Sequence, residues 1–332
     1  MYNEFTFIAV ILLLSWLALT VANLAVSGVL AVAFGMKFGR VFCWGLLALV
    51  IPVLAMGYGV LVERNLFRVS EQTLEFDTLP ETFDWYRIVH ISDIHSRSFR
   101  HRVRALERAV AKINALEPDL VAFTGDLITI GPEELDRTAS ALSHIRGKDG
   151  VVSILGNHDY CTHTGGAIGA PDEVAMKDLV RRERELGWNL LLNENCTVRR
   201  GPDSLCIVGV ENWSTARFFP STGDLGKASE GTEGSFRILL THDPTHWEAE
   251  AIDAGFPLTL SGHTHAAQTS FFGWSPSRFA FKHYRGLYRH GEQCLYVNIG
   301  LGETAYPARI GAMPEITLIT LRARSGAPDV AK

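Results

Sequence analysis

An α/β fold with at least one mixed sheet, preceded by two membrane-crossing helices, is what this 332-residue chain predicts. Three observations carry that expectation. The first 62 residues are almost free of charge. From residue 86 onward, apolar runs of strand length alternate with helical patterns, and the second half holds more strands than helices.

The front of the chain comes first. No residue between Glu4 and Lys37 is charged, and 41–62 is again uncharged, interrupted only by Pro52. At a rise of 1.5 Å per residue, about 20 helical residues cross a hydrocarbon core of roughly 30 Å. Helices also satisfy their own backbone groups in lipid. Spans over residues 5–34 and 41–62 are therefore expected, as a membrane anchor comprising 1–62. A signal peptide would need a basic start and a short apolar core, whereas MYNEFTF has neither Lys nor Arg and the run is too long. Two spans return both ends to one side. Lys37 and Arg40 favour one orientation and Arg64 and Arg68 the other, so the charges leave the side open.

Residues 63–85 mix charges with Pro80 and read as a linker. Beyond them RIVHIS, DLVAFTG, VVSILG, LCIVGV, RILLTH and LTLSGH are continuous apolar runs, as expected of strands covered on both faces. Helical patterns occupy 101–116, 133–146 and 172–187, and CLYVNIGLG and EITLITLRA add two late strands. The expected globular domain is 86–322, followed by a frayed tail at 323–332.

Composition narrows the function. A net charge of −5 gives nucleic acid no footing. Five cysteines without a CxxC pair predict free thiols.

The polar residues sit where chemistry is expected. Five apolar runs end in metal-type donors: Asp93 and His95, then Asp126, then Asn157-His158-Asp159, then His242, then His263 and His265. Ligands bind outside the carboxyl ends of strands in open α/β sheets, so five such ends predict one composite site. The donors are oxygen and imidazole nitrogen without thiolate, which favours Mn²⁺, Fe, Zn²⁺ or Co²⁺. So many donors predict two divalent ions, and two such cations outweigh two carboxylates, leaving a site that attracts phosphate.

The series DIH, GD, GNHD, TH, GHTH resembles the calcineurin-like metallophosphoesterase signature over about 86–322, most closely its membrane-anchored bacterial branch. The resemblance implies a four-layer α/β/β/α sandwich of two mixed sheets and a place in the bacterial inner membrane. It implies that Asp93, His95 and His265 hold one ion, that Asn157, His242 and His263 hold the other, and that Asp126 bridges them. Manganese is the first choice. His158 would bind no metal; it would stabilise the transferring phosphoryl group and protonate the leaving group. The stretch GDLITIGPEE lacks the later Asp and Arg of the phosphoprotein phosphatases, so His158 needs another orienting partner. That departure favours phosphodiester or pyrophosphate hydrolysis. The related UDP-2,3-diacylglucosamine hydrolases imply a lipid-linked substrate, against which stand a non-lipid phosphoester and a non-catalytic metal-containing membrane protein.

Other residues have plainer readings. His90 precedes Asp93 by three, so strand alternation turns it to the other face as a structural residue. Asp159 is expected to brace its loop. Arg97 and Arg100, in a run of basic residues, form either a solvated helix face or a lip for phosphate and lipid head groups. The CTHTGG segment with Cys161 and His163 is a candidate substrate loop, and the aromatic stretch 271–284 is either core or an interfacial lid.

Overall fold

The computed structural model describes residues 4–162, 170–216 and 219–324. Helix α1 (Glu4–Phe34) is followed by α2 (Phe38–Gly45), a tighter turn at Leu46–Leu49, and α3 (Val50–Leu61). Segments 6–34 and 38–65 are each long and apolar enough to cross a membrane, and Leu13, Val32 and Leu54 point outward with no protein over them. Buried soluble helices do not leave such residues bare. Within the hairpin, the Trp16 indole donates to Leu49 O and the Asn23 amide to Phe42 O. At its end Gly59 lies so near the catalytic domain that a Cβ there would stand 2.8 Å from Arg309 O.

Two six-stranded sheets follow. The first contains β1 (Arg68–Phe76), β2 (Tyr86–Ile91), β3 (Leu120–Thr124), β4 (Val151–Ile154), β5 (Asn189–Leu190) and, between β1 and β2, the late strand β12 (Glu315–Ala323). Strand β12 is parallel to β1 and antiparallel to β2, while β2 to β5 run parallel. The second contains β6 (Glu194–Arg200), β7 (Asp203–Gly209), β8 (Phe236–Leu240), β9 (Leu258–Ser261), β10 (Gly286–His290) and β11 (Gln293–Val297). Their order is β10-β11-β9-β8-β7-β6, antiparallel only at its two ends.

Alternation along each strand builds the layers. Ile88, Ala122, Ile154, Ile207, Ile238 and Leu260 meet between the sheets. Val89, Ile91, Val121 and Phe123 face outward onto α4 (Val103–Ala115), α5 (Ala139–Leu142) and α6 (Glu173–Glu185). The α4 contacts Leu106, Ala109, Val110 and Ile113 follow helical spacing. On the far side Val208, Leu239 and Leu295 pack under Trp247 and Phe256. The arrangement is the α/β/β/α sandwich of two mixed sheets.

Three expectations change. Residues 63–85 are not a linker: 68–76 form β1, an edge strand paired along its whole length with β12. The pattern over 133–146 does not form one helix but a 3-10 turn at Pro132–Asp136 and the short α5. There Glu134 is turned inward to accept the amides of Arg97, Thr129 and Ile130, and the Thr138 hydroxyl bonds back to Glu134 O. Strand β12 runs to Ala323, inside the expected tail; 325–332 lie outside the described residues. None of the five cysteines is joined in a disulfide, as expected.

One buried acid sets a stability prediction. Glu183 on α6 is fully buried without a well-formed hydrogen bond, and burial pushes its carboxyl up to about 8. The unfolded chain loses this proton near 4.5, so the stability associated with the protonated form is intact below that pH and is lost as pH rises toward 8. Glu183→Gln should therefore raise the melting temperature, and more at pH 8 than at pH 6. Calorimetry at both pH values checks this; an equal or negative change would refute it.

Candidate dinuclear metal centre

Every donor singled out above stands at or just beyond a strand's carboxyl end, after β2, β3, β4, β8 and β9. The sheets bring these ends to one edge. The backbone there is unusual: Asp93, His95, Asp126, His263 and His265 all have φ between 44° and 73°. Left-handed conformations are disfavoured for non-glycine residues and persist where the surroundings impose them, commonly at functional sites. Glycine at 262 is needed as well, because a Cβ there would collide with the Asp93 carboxylate.

Two triads result. Asp93, His95 and His265 form one; Asp126, His242 and His263 form the other. In the first, His95 Nε2 lies 3.1 Å from His265 Nε2, which is 3.2 Å from Asp93 Oδ1. In the second, His242 Nε2 lies 3.1 Å from Asp126 Oδ2 and 3.2 Å from both His263 Nδ1 and Asn157 Oδ1. The same Asp126 Oδ2 lies 3.6 Å from His95 Nε2, so this single oxygen touches both groups.

Surrounding groups set the ring orientations. His242 Nδ1 donates to Thr124 O at 2.7 Å, which turns Nε2 and its lone pair inward. His95 Nδ1 meets the Thr129 hydroxyl at 3.2 Å. The amide of His263 donates to Asp93, and that of His158 to Asp126 Oδ1. Asp159 is the brace expected of it. Its carboxylate accepts from the amides of Gly156, Asp126, Leu127 and Ile128, joining the loops after β3 and β4. His158 Nδ1 donates to Thr129 O at 2.9 Å. A backbone carbonyl thus orients the ring for which the sequence offered no carboxylate partner.

The electrostatics describe a place for cations. Burial would raise Asp93 and Asp126, but the neighbouring imidazoles, His265 for the first and His242 for the second, hold both below the usual carboxylate range. Burial would lower His242, yet Asp126 pushes it up to about 10. Burial, reinforced by His242, brings His263 down to about 4, and burial also lowers His95. Donors about 2.0–2.2 Å from one divalent ion lie about 3.0–3.5 Å apart. The 3.1 and 3.2 Å spacings in the two triads match that figure, with His95 Nε2 and Asp93 Oδ1 wider apart at 3.9 Å, and the ring nitrogens that face one another are placed to hold a cation between them. The residues fit two divalent ions.

The remaining candidates fall elsewhere. His90 is buried on the inter-sheet face with Nε2 2.9 Å from Thr124 Oγ1, and burial lowers it to about 3. Arg97 and Arg100 stand apart from the donors, on the rim of a cavity beside the anchor. Cys161 is buried with its thiol on Asp159 O, and His163 lies outside the described residues. The stretch 271–284 is divided. Phe281 packs its ring 5.3 Å from that of His263, whereas Phe272 and Phe279 are 110% and 82% exposed.

Two positioning residues are not apparent in the sequence. One is Thr129, which touches both His95 and His158. The other is Arg309, wholly buried, whose guanidinium donates to the carbonyls of Ile299, Gly300, Gly302 and Ala312 and lies 3.3 Å from His265 Nδ1. Neither ends a strand, so the strand-end signal could not find them.

The calcineurin-like phosphoesterase family model matches residues 86–267, a stretch that contains every donor described. A zebrafish (Danio rerio) transmembrane protein with a metallophosphoesterase domain is 32% identical over 83% of this chain, which spans 62% of that protein's length. The Bacillus subtilis metallophosphoesterase YkuE is 30% identical over 80% of this chain and 89% of its own. Among solved structures, Haemophilus influenzae NAD nucleotidase is 14% identical with a TM-score of 0.43, covering 65% of this chain and 45% of that one. The chain belongs to the calcineurin-like metallophosphoesterases. It is a membrane-anchored member, with two apolar helices ahead of the sandwich.

Proposed function

We propose that this protein hydrolyses a phosphodiester or pyrophosphate bond of a membrane-lipid substrate at a dinuclear centre. In this reading Asp93, His95 and His265 hold one cation, Asn157, His242 and His263 hold the other, and Asp126 bridges them. The carrying observation is Asp126 Oδ2, within 3.6 Å of His95 Nε2 and 3.1 Å of His242 Nε2. Oxygen and nitrogen donors favour manganese, with iron, zinc and cobalt as alternatives.

When bound, the two cations supply Lewis acidity and a water nucleophile. The chain supplies the rest. His158, with Nδ1 committed to Thr129 O, presents Nε2 to the phosphoryl oxygens and to the leaving group, to which it gives a proton. Asp159 keeps the two donor loops in register, so the donors need no rearrangement when substrate arrives.

Two features support a lipid substrate. The anchor is docked against the catalytic domain, and Phe272 and Phe279, in the segment that leads to the Phe281 ring packed on His263, are exposed. UDP-2,3-diacylglucosamine is the first compound to try. Its use requires the catalytic domain on the cytoplasmic face of a bacterial inner membrane, which reporter fusions would read.

The general test uses full-length protein in detergent, loaded with Mn²⁺ and offered bis(p-nitrophenyl) phosphate. Hydrolysis with two metals per chain by elemental analysis is expected. One metal per chain would replace the dinuclear reading by a mononuclear one, and no hydrolysis under any metal would end the catalytic proposal.

A further inference from the structure

In the segment that follows His263 and His265, four aromatic side chains are left outside the fold. Phe271, Phe272, Trp274 and Phe279 are all exposed, and the Trp274 and Phe279 rings lie 5.9 Å apart. Grouped exposed apolar side chains mark a surface that meets a partner or a membrane. The group has a defined shape. Phe271 N donates to Trp274 O at 2.8 Å and Trp274 N to Phe271 O at 2.9 Å, which closes a tight turn. Both central residues have left-handed backbones, Phe272 at φ 49° and Gly273 at φ 84°. Such turns favour Asn or Asp before the glycine, whereas a bulky ring in that position is strained. The fold gains no burial in return, for Phe272 is the most exposed large apolar side chain among the described residues.

The base of the turn is tied to the anchor. Ser270 N donates to Ile310 O at 2.8 Å and Ile310 N to Gln268 O at 2.9 Å, while the Gln268 amide reaches the carbonyls of Tyr306 and Ala308. Arg309, the residue before Ile310, donates its amide to Gly59 O at 3.4 Å. A Cβ on Gly59 would stand 2.9 Å from the Ile310 side chain, so α3 and this segment are in close contact. Gly59 lies in the second span, four positions or about 6 Å of helix before Glu63, where the uncharged run ends. The anchor therefore brings the turn to the level where hydrocarbon gives way to head groups. Rings of Trp and Phe favour that layer, and exposed Arg278 suits its anionic phosphates.

We infer that the 271–274 turn and Phe279 insert into the head-group layer of the bilayer that holds the anchor, as a further point of attachment. The occupant of the patch is lipid because the anchor already places lipid beside it. The same loop starts at the donors: the Ser275 hydroxyl donates to Ala266 O and the Ser277 hydroxyl to Thr264 O. Insertion therefore holds the His263 and His265 edge of the domain against the membrane surface, whichever phosphoester the centre hydrolyses.

Photo-crosslinking of the full-length chain in vesicles of phosphatidylethanolamine and phosphatidylglycerol tests this. The photoreactive residue p-benzoylphenylalanine takes the place of Phe272, of Phe279 or of Trp85. Trp85 is the control: it is exposed too, but precedes β2 at the opposite end of the sheet from the donors. After irradiation, mass spectrometry should find phospholipid adducts at 272 and 279 in a yield at least about tenfold above that at 85. Lipid at either position carries the inference, so if one variant fails to fold the other decides. Yields at 272 and 279 no higher than at 85 would overturn it. So would crosslinks from 272 and 279 to a second copy of the chain in place of lipid, which mark a dimer surface. Crosslinks only within the same chain would overturn it as well, since they mark a lid closed over the site. Turnover of bis(p-nitrophenyl) phosphate is read separately: its absence sinks the catalytic proposal and leaves the insertion standing.

Discussion

Asp126→Asn should remove most of the bound metal and lower turnover of bis(p-nitrophenyl) phosphate by more than about 10³-fold. The reason is one atom. Oδ2 of Asp126 stands 3.1 Å from His242 Nε2 and 3.6 Å from His95 Nε2, so it can neutralise charge in both triads at once. An asparagine keeps the shape but withdraws the charge, and two cations would then face Asp93 alone among the carboxylates of the cluster. Chelation gives an independent readout. Ligands that bind only the folded state stabilise it by mass action, about 2.7 kcal/mol at a hundred times Kd. Wild-type protein should therefore melt several degrees lower after metal removal, and the Asp126→Asn variant should barely change. Full metal content in the variant, or a wild-type melting curve indifferent to chelation, would contradict the dinuclear assignment.

His158→Ala should lower kcat by about 10²–10⁴-fold while both metals remain, as expected for a lost acid–base group. His158 belongs to neither triad, and its amide bond to Asp126 Oδ1 is one an alanine retains. The loss should shrink for a diester whose leaving group is already acidic, such as p-nitrophenol, and grow for an alkyl leaving group that needs a proton. That contrast separates proton donation from mere packing. Equal losses on both substrates would leave His158 with electrostatic stabilisation only, and metal loss would make it a structural residue.

Much of the site was legible because metal chemistry restricts residue type. Asp, Asn and His at five strand ends, each next to a glycine or a short turn, rarely occur together except to hold cations. The orienting partner of His158 was not legible. It is Thr129 O, and a main-chain carbonyl carries no side-chain signature. Arg309 was hidden for a related reason: in the sequence it is one basic residue among many, and only packing shows that it is buried behind His265.

The strands divide in the same way. The eight strands found in the sequence are the interior ones, with continuous apolar runs. The four missed, β1, β5, β6 and β10, are the outermost strands of the two sheets. Edge strands carry charge on exposed positions, as Arg68, Glu71 and Glu75 do in β1, and such a pattern reads as linker. Strand β1 is held by β12, about 240 residues away in the chain, a pairing that no local window contains.

By itself, then, the sequence determined the chemistry available: two apolar spans, buried parallel strands, and an oxygen-and-imidazole donor set. These follow from solvation and coordination preferences that act residue by residue. Tertiary structure alone decided which donors lie close enough to share an ion, which carbonyl aims His158, and that a basic cavity opens against the anchor, because each depends on distances between segments far apart in the chain.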